Sequence, residues 1–375
     1  MTRAHDRLEA NKRTQSLCVK SPNKVVPASA MMINFRANSA PCVVRRPHCD
    51  NGPPTLHEIH QMGMLSVATT AAAATAERSS ARPTLLEHVN LNIPDEATAR
   101  AFYIDGLGGA VNPRTTNSRQ LHVNLGASQF HLLRKLSVRG MEPVEEAQVW
   151  AGHMELWTVE DLAELHGRLP RAELVGAGDA LHLRCECPWG NRLEVRRAPT
   201  GFAPIGAHAG GWERIVAMPR AVHLIRPGMA PCIAAFWTQI IGCDATATAA
   251  PARCTVAFAS GQQLVFEESD AAPPQDAYDT QERHAYHLAF YLPTAAAFQA
   301  AFEAAAAAGL LYDNPRFEGG PLEFASAVTW ADASACGQFR VKELRGAAPS
   351  DEVGLVLELE VRAPTHVSCP LGRSL

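Results

Sequence analysis

LLEHVNLNIPDEATARAFYIDGLGG, residues 85–109, is the stretch that decides the fold. Its first third alternates apolar and polar residues, which is the period of a half-buried strand. Its middle carries the apolar spacing of a helix, with Asp95 as the predicted N-cap, and the stretch ends in glycine. Residues 85–109 therefore predict a strand that leads at once into a helix.

Three further strands complete a unit around this stretch. Gly109 to Val111 is short, and RQLHVNL (119–125) and QFHLLRK (129–135) are separated by the turn residues Gly126-Ala127-Ser128. The predicted order is strand, helix, strand, strand, strand.

The same order recurs three times along the chain. The second unit begins GHMELWTVEDLAELHGRL (152–169), the third runs over 220–269, and the fourth begins at 284. The fourth is predicted to close with the strands SAVTWAD (326–332) and GQFRVKEL (337–344), and VGLVLELEVRAP (353–364) adds one further strand. Four copies of one unit are the most economical interpretation.

Composition and charge set the outer limits of the chain. Residues 1–82 hold 11 Lys and Arg against 5 Asp and Glu, whereas the remainder is acidic, with 23 against 33. An acidic body argues against nucleic acid as a partner, because phosphate binding needs clustered basic residues. No apolar run reaches the ~18 residues of a membrane span. The ten cysteines include no C-x-x-C pair, which favours reduced thiols over disulfides or a zinc knuckle.

The expected domain boundaries follow from these patterns. Residues 1–82 lack apolar periodicity and are expected to be a disordered leader or transit peptide, which favours a plastid or mitochondrion, with the cytoplasm as alternative. Residues 83–198 form a first lobe from units one and two, and the Pro- and Gly-rich segment 199–215 is a linker. Residues 216–345 form a second lobe from units three and four, and 346–375 is a C-terminal extension.

Strand openings such as EHVNLNI and GHMELWTVEDL, and the ending P-x-G-N-x-x-E, resemble the glyoxalase, bleomycin-resistance and extradiol-dioxygenase superfamily, also called vicinal oxygen chelate. The resemblance covers residues 84–345. It implies an α+β fold in which tandem βαβββ modules pair into cup-shaped, eight-stranded lobes around a divalent metal. Members close the cup within one chain or between two chains; the tandem units favour closure within this chain, and the oligomeric state stays open.

The resemblance also implies a set of metal ligands on the first and last strands of the paired units. Carried over by position, these are His88 and His131 in unit one and His153 and Glu194 in unit two. Three imidazoles and a carboxylate suit zinc, nickel, iron or manganese. Glu194 would then be a buried ligand, although the residues alone favour a carboxylate on a solvated strand face.

The second pair of units is expected to lack a metal. Aligning Pro227 with Pro94 and matching the strands sets four residues opposite the ligand positions: Ala221, Val265, His287 and Val341. A single histidine among the four cannot hold a catalytic ion. His122 and His182, on the third strands of their units, are expected to be interior histidines with satisfied hydrogen bonds.

The implied function is a metal-dependent enzyme that acts on a small molecule with adjacent oxygens. A glyoxalase-like lyase or isomerase is favoured over an extradiol-type dioxygenase, because a fourth ligand departs from the two-histidine, one-carboxylate set of the latter. Glu155 is a candidate base and Asn90 a candidate substrate-binding residue. The alternative is a binding or structural protein of the same fold without catalysis.

Overall fold

The computed structural model describes residues 82–134, 145–169, 171–274, 277, 286–317 and 327–372. The predicted leader lies outside them except for Arg82, so its nature and the compartment stay predictions. None of the helices in this part of the chain combines the length and the apolarity that a bilayer crossing demands.

The first unit has the predicted order of elements. Strand β1 (Leu85–Asn92) leads into helix α1, which begins at Glu96–Ala99 and continues in wider π-type turns over Arg100–Gly106. Asp95 caps the helix as expected, since its carboxylate accepts a hydrogen bond from the backbone N–H of Thr98 at 2.7 Å. The remaining strands are β2 (Ala110–Val111), β3 (Gln120–Leu125) and β4 (Ser128–Leu133).

Units two and three repeat this order. Unit two consists of β5 (Gly152–Thr158), α2 (Leu162–Arg168), β6 (Glu173–Val175), β7 (His182–Glu186) and β8 (Arg192–Arg197). Unit three consists of β9 (Ile215–Ile225), α3 (Ala230–Ala235, continued by π-type turns over Phe236–Ile241), β10 (Ala245–Ala249), β11 (Ala252–Ala257) and β12 (Gln263–Glu268).

Unit four ends later than the sequence predicted. It contains β13 (His287–Tyr291), α4 (Ala295–Ala307), α5 (Trp330–Cys336), β14 (Gln338–Leu344) and β15 (Leu355–Arg362). The strand predicted over 326–332 is wrong, because Thr329 caps α5 by accepting Asp332 N–H. The predicted C-terminal extension, 346–375, likewise contains β15, the last strand of unit four.

The strands form two mixed sheets, and the pairing of units differs from the prediction. Sheet A joins units one and four in the order β14-β15-β13-β1-β4-β3-β2. Within the described residues it has seven strands and not the predicted eight, because unit four contributes only three. Sheet B has the order β10-β11-β12-β9-β5-β8-β7-β6 and joins units two and three. The predicted lobes, 83–198 and 216–345, are therefore wrong, since each sheet takes one unit from each half. Units two and three, on either side of the linker 199–215, share sheet B, and the chain changes sheets between β4 and β5 and again between β12 and β13. Elements that follow each other in sequence are neighbours in a sheet only roughly two-thirds of the time, so units one and two need not pair.

Sheet A divides its residues between an apolar face and a polar face. Alternate residues of its central strands, among them Val89, Phe130, Leu288 and Leu359, are fully buried in the hydrophobic core. The residues between them are polar: His88, Asn90, His287 and Glu360 are buried, and His131 is half-buried. Since successive side chains of a strand point to opposite faces, the sheet presents a buried polar wall opposite the core. The candidate site lies on this wall.

Candidate metal centre on the polar wall of sheet A

The four predicted ligands do not come together. His88 lies on β1 and His131 on β4, both in sheet A, whereas His153 lies on β5 and Glu194 on β8, both in sheet B. A single centre made of all four is therefore ruled out by the pairing of the units. The prediction assumed that units one and two share a sheet.

His88 meets two ligand-type residues that come from unit four. Its Nε2 atom lies 3.0 Å from Nε2 of His287, and His287 Nε2 lies 3.7 Å from Oε2 of Glu360. The candidate ligand atoms of the three side chains all lie within 4.8 Å of one another, and all three residues are buried. The first strands of units one and four are adjacent in sheet A, which brings the two histidines together.

Glu360 is ionised in this setting. Burial raises the pKa of its carboxyl, but Arg340 and then Arg362 outweigh burial and hold the pKa well below the ordinary value. Arg340 donates to Oε2 of Glu360, and Arg362 donates to Oε1. A carboxylate has about four lone-pair sites, so Oε2 can accept from Arg340 and still face His287.

His131 lies beside these three residues, in a stack of imidazole rings. Its ring centroid is 3.7 Å from that of His88 and 3.8 Å from that of His122. Burial, followed by the neighbouring His122, lowers the pKa of His131 well below its ordinary value, and burial lowers the pKa of His122 to about 3. His131 is therefore neutral, and it donates from Nε2 to Oε1 of Gln129 at 3.0 Å.

The residues fit a divalent transition metal. Two nitrogens that bind one ion at ~2.1 Å and at right angles are about 3.0 Å apart, which is the spacing of the His88 and His287 Nε2 atoms. Two imidazoles and a carboxylate are also a donor set for such ions. His131 is close enough to His88 to be a fourth donor through its other nitrogen.

Sheet B keeps only half of this set. In sheet A, Ala289 is paired with His88 on one side and Glu360 on the other; in sheet B, Glu155 is paired in the same way with Arg220 and Glu194. By the same strand pairing, His287 of sheet A is equivalent to His153 of sheet B, and His131 of sheet A is equivalent to Val265 of sheet B. In sheet B, Arg220 and Val265 thus stand in place of two of the four polar-wall residues, His88 and His131. Sheet A, and not the predicted first lobe, holds the complete set.

The remaining predicted residues divide between the two sheets. Asn90 is buried on the polar wall, paired with His287 and His131. Glu155 lies in sheet B, half-buried, where its carboxylate accepts from Arg220 at 2.9 Å and lies 4.0 Å from His153. Glu155 is therefore not in contact with the centre in sheet A. Ala221, which the alignment set opposite His88, belongs to the core, and Arg220 holds that position instead.

Glu360 was missed, although the sequence carries a signal for it. Leu-Glu-Val-Arg occurs at 193–196 and again at 359–362. The two copies are the terminal strands β8 and β15, and they place Glu194 and Glu360 at equivalent positions. The prediction instead ended unit four at the preceding strand, where Val341 lies on the apolar side.

Comparisons with known proteins give distant structural likenesses. The sequence matches no protein-family model and no curated protein. Glyoxalase I from Zea mays is 10% identical, with a TM-score of 0.44, over 76% of this chain and 93% of that one. The cppA protein from Streptococcus pneumoniae is 10% identical, with a TM-score of 0.41, over 76% and 100%. Lactoylglutathione lyase from Agrobacterium tumefaciens is 19% identical, with a TM-score of 0.24, over 32% and 99%.

The strand order of this chain decides its fold. In each sheet the first strands of two units are adjacent and antiparallel, and each is flanked by the parallel last strand of its own unit. The chain has the vicinal-oxygen-chelate fold. Within this fold the polar wall of sheet A offers a site for a divalent metal.

Proposed function

We propose that the chain is a metal-dependent enzyme that acts on a small molecule with two adjacent oxygens. The observation that carries the proposal is the convergence of His88, His287 and Glu360 on the buried polar wall of sheet A. A divalent metal held there would polarise the substrate oxygens and stabilise negative charge that develops on them.

The ligand set favours an oxygenase over a lyase. Two histidines and one carboxylate, with positions left open, are the donor set of non-haem iron oxygenases. The sequence-based preference for a lyase or isomerase depended on a four-residue set that the two sheets separate. That class remains the second candidate because His131, stacked on His88, would supply a fourth donor and favour zinc or nickel chemistry.

The chain itself would bind and orient the substrate. Both side-chain polar atoms of Asn92, and Nε2 of His122, are buried without a hydrogen-bond partner in the described structure. An unpaired buried polar group costs about 1–3 kcal/mol, which a polar substrate would recover. We propose that Asn92 and His122 bind the substrate, together with the neighbouring Asn90.

Metal content of the full-length chain tests the proposal. We expect about one transition metal per chain by plasma mass spectrometry, lost in His287→Ala and Glu360→Gln. His153→Ala and Glu194→Gln, which remove the equivalent residues of sheet B, are the matched controls and should retain the metal. Loss of metal in the sheet B variants, with retention in the sheet A variants, would contradict the proposed centre.

The identity of the metal separates the two reaction classes. Iron, with oxygen uptake on a 1,2-dihydroxyaromatic substrate, would support the oxygenase; zinc or nickel, with isomerisation of a 2-hydroxyketone and no oxygen uptake, would support the lyase or isomerase. An unmodified chain that takes up no metal, even after reconstitution, would refute the enzyme and leave a small-molecule binding protein of the same fold.

A further inference from the structure

A β-bulge in β1 brings a second charged residue onto the polar wall. Leu86 pairs with Phe290 and His88 with the next residue, Ala289, so Glu87 is an extra residue without a partner on β13. In a regular strand, Leu86 and His88 would share a face. The bulge instead leaves Leu86 in the core and turns both Glu87 and His88 to the polar side.

Glu87 makes contacts that orient His88. Its Oε2 atom lies 2.5 Å from Nδ1 of His88 and accepts from Nη1 of Arg362 at 2.7 Å. Glu87 is 1% exposed, so these contacts are screened little by solvent. Because an ionised carboxylate only accepts, the hydrogen of this bond is on Nδ1, which leaves Nε2 as the nitrogen of His88 that can bind a metal.

Arg362 closes a ring of contacts through Glu87. Starting from Arg362, the ring passes through Glu87, His88, His287 and Glu360, and Glu360 returns to Arg362. One guanidinium therefore fixes the carboxylate behind His88 and the carboxylate that faces His287. Histidines that bind metals commonly donate their other ring nitrogen to a carboxylate in this way.

We infer that Glu87 is a positioning residue, which holds His88 in the Nδ1-protonated tautomer so that Nε2 faces His287 and Glu360. This inference rests on the proposed metal centre for its function, but the tautomer itself is a property of the metal-free chain. A salt-bridge partner for Arg362 alone would need no contact with an imidazole. The bulge supplies that contact.

Two variants of the full-length chain test the inference. Glu87→Gln keeps an acceptor oxygen and removes the charge, whereas Glu87→Ala removes the acceptor. Glu155→Gln is the matched control, because Glu155 lies between His153 and Arg220 in sheet B as Glu87 lies between His88 and Arg362 in sheet A. Circular dichroism of each metal-free variant checks that the fold is retained.

The first readout is the affinity for Co²⁺, measured by competition with a chelator, together with the ligand-field spectrum of the bound ion. We expect the affinity to fall about 10-fold in Glu87→Gln and toward 100-fold in Glu87→Ala, with a changed spectrum in both. Glu155→Gln should leave both unchanged. Equal affinity and an identical spectrum in all four proteins would overturn the inference while leaving the metal centre intact.

The second readout is the tautomer of His88 in the metal-free chain. Long-range ¹H–¹⁵N correlation spectra distinguish the two tautomers, and the signal that disappears in His88→Gln identifies the residue. We expect the Nδ1-protonated form in the parent and in Glu155→Gln, and a mixture in Glu87→Ala. The Nε2-protonated form in the parent would overturn the inference. A parent that binds no Co²⁺ but holds the expected tautomer would refute the proposed function and support the positioning role.

Discussion

Replacing Arg362 with methionine should destabilise the chain strongly. The guanidinium is buried and contacts Glu87 at 2.7 Å, Glu360, and the hydroxyl of Tyr291 at 3.2 Å. Glu360 keeps Arg340 in the variant, whereas Glu87 keeps only histidines. The main cost is therefore one carboxylate left buried without its cation.

The magnitude follows from the geometry of the Arg362 and Glu87 pair. Unit charges 2.7 Å apart attract by roughly 6 kcal/mol at an effective dielectric constant of about 20. Part of this attraction is offset because the variant no longer removes a guanidinium from water. Loss of one partner of a buried pair costs about 3–5 kcal/mol, and we expect about 4 kcal/mol in the free energy of unfolding.

The dependence on pH gives the prediction a second signature. Burial raises the pKa of Glu87, but Arg362 and then His88 hold it well below the ordinary value in the parent. Without Arg362, burial dominates and the folded-state pKa should rise above the unfolded value. A raised carboxyl pKa contributes stability that is lost as pH rises. The cost of Arg362→Met should therefore be larger at pH 8 than at pH 5.

Urea unfolding followed by circular dichroism measures these free energies. Arg184→Met is the matched control, because Arg184 pairs with Glu194 at 3.4 Å but its side chain is 56% exposed. An exposed pair contributes at most about 1 kcal/mol. Adding Glu87→Gln to Arg362→Met should restore most of the stability, since Glu360 keeps Arg340 and no buried charge is then unpaired. A loss below about 1 kcal/mol for Arg362→Met would refute this account of the polar wall.

Two further predictions concern an acid-sensitive histidine and a close backbone approach. Burial lowers the pKa of His223 to about 4. Between pH 6.5 and 4 the unfolded chain therefore binds a proton that the folded chain does not, and the free energy of unfolding decreases as the pH is lowered. In His223→Asn the amide can replace Nδ1 as donor to the carbonyl oxygen of Leu224. This variant should lose about 2 kcal/mol less unfolding free energy between pH 7 and pH 5 than the parent does. An unchanged loss would contradict the lowered pKa of His223. Gly126 has φ +72°, and a Cβ there would lie 2.0 Å from the carbonyl oxygen of Val216, whereas Gly178 has φ +57° and open space. Gly178→Ala should cost about 1 kcal/mol, the strain of a positive φ alone. Gly126→Ala should cost more and therefore lower the melting temperature further than Gly178→Ala does. Equal melting temperatures for the two variants would show that the approach of Gly126 to Val216 is not tight.

Much of the fold was predictable because it depends on local patterns. The strand and helix of residues 85–109, their Asp95 cap and the recurrence of the unit all follow from side-chain periods and capping chemistry within about 30 residues. The strand over 326–332 failed because its apolar residues fit a short helix equally well once Thr329 caps it. Of the residues in the candidate site, the sequence pointed to His88 and His131, which lie next to each other on the polar wall.

The sequence by itself determined the four units, the alternation that gives each strand a polar and an apolar face, and the histidines and carboxylates on the first and last strands. Only the tertiary structure decided which units share a sheet, and so which of those residues meet. Pairing between strands that are 199 residues apart, as in the contact of His88 with His287, is set by the packing of complete sheets, which local patterns do not constrain. The bulge at Glu87 is a second decision of this kind, because it depends on the register with β13 and turns Glu87 and His88 to one face.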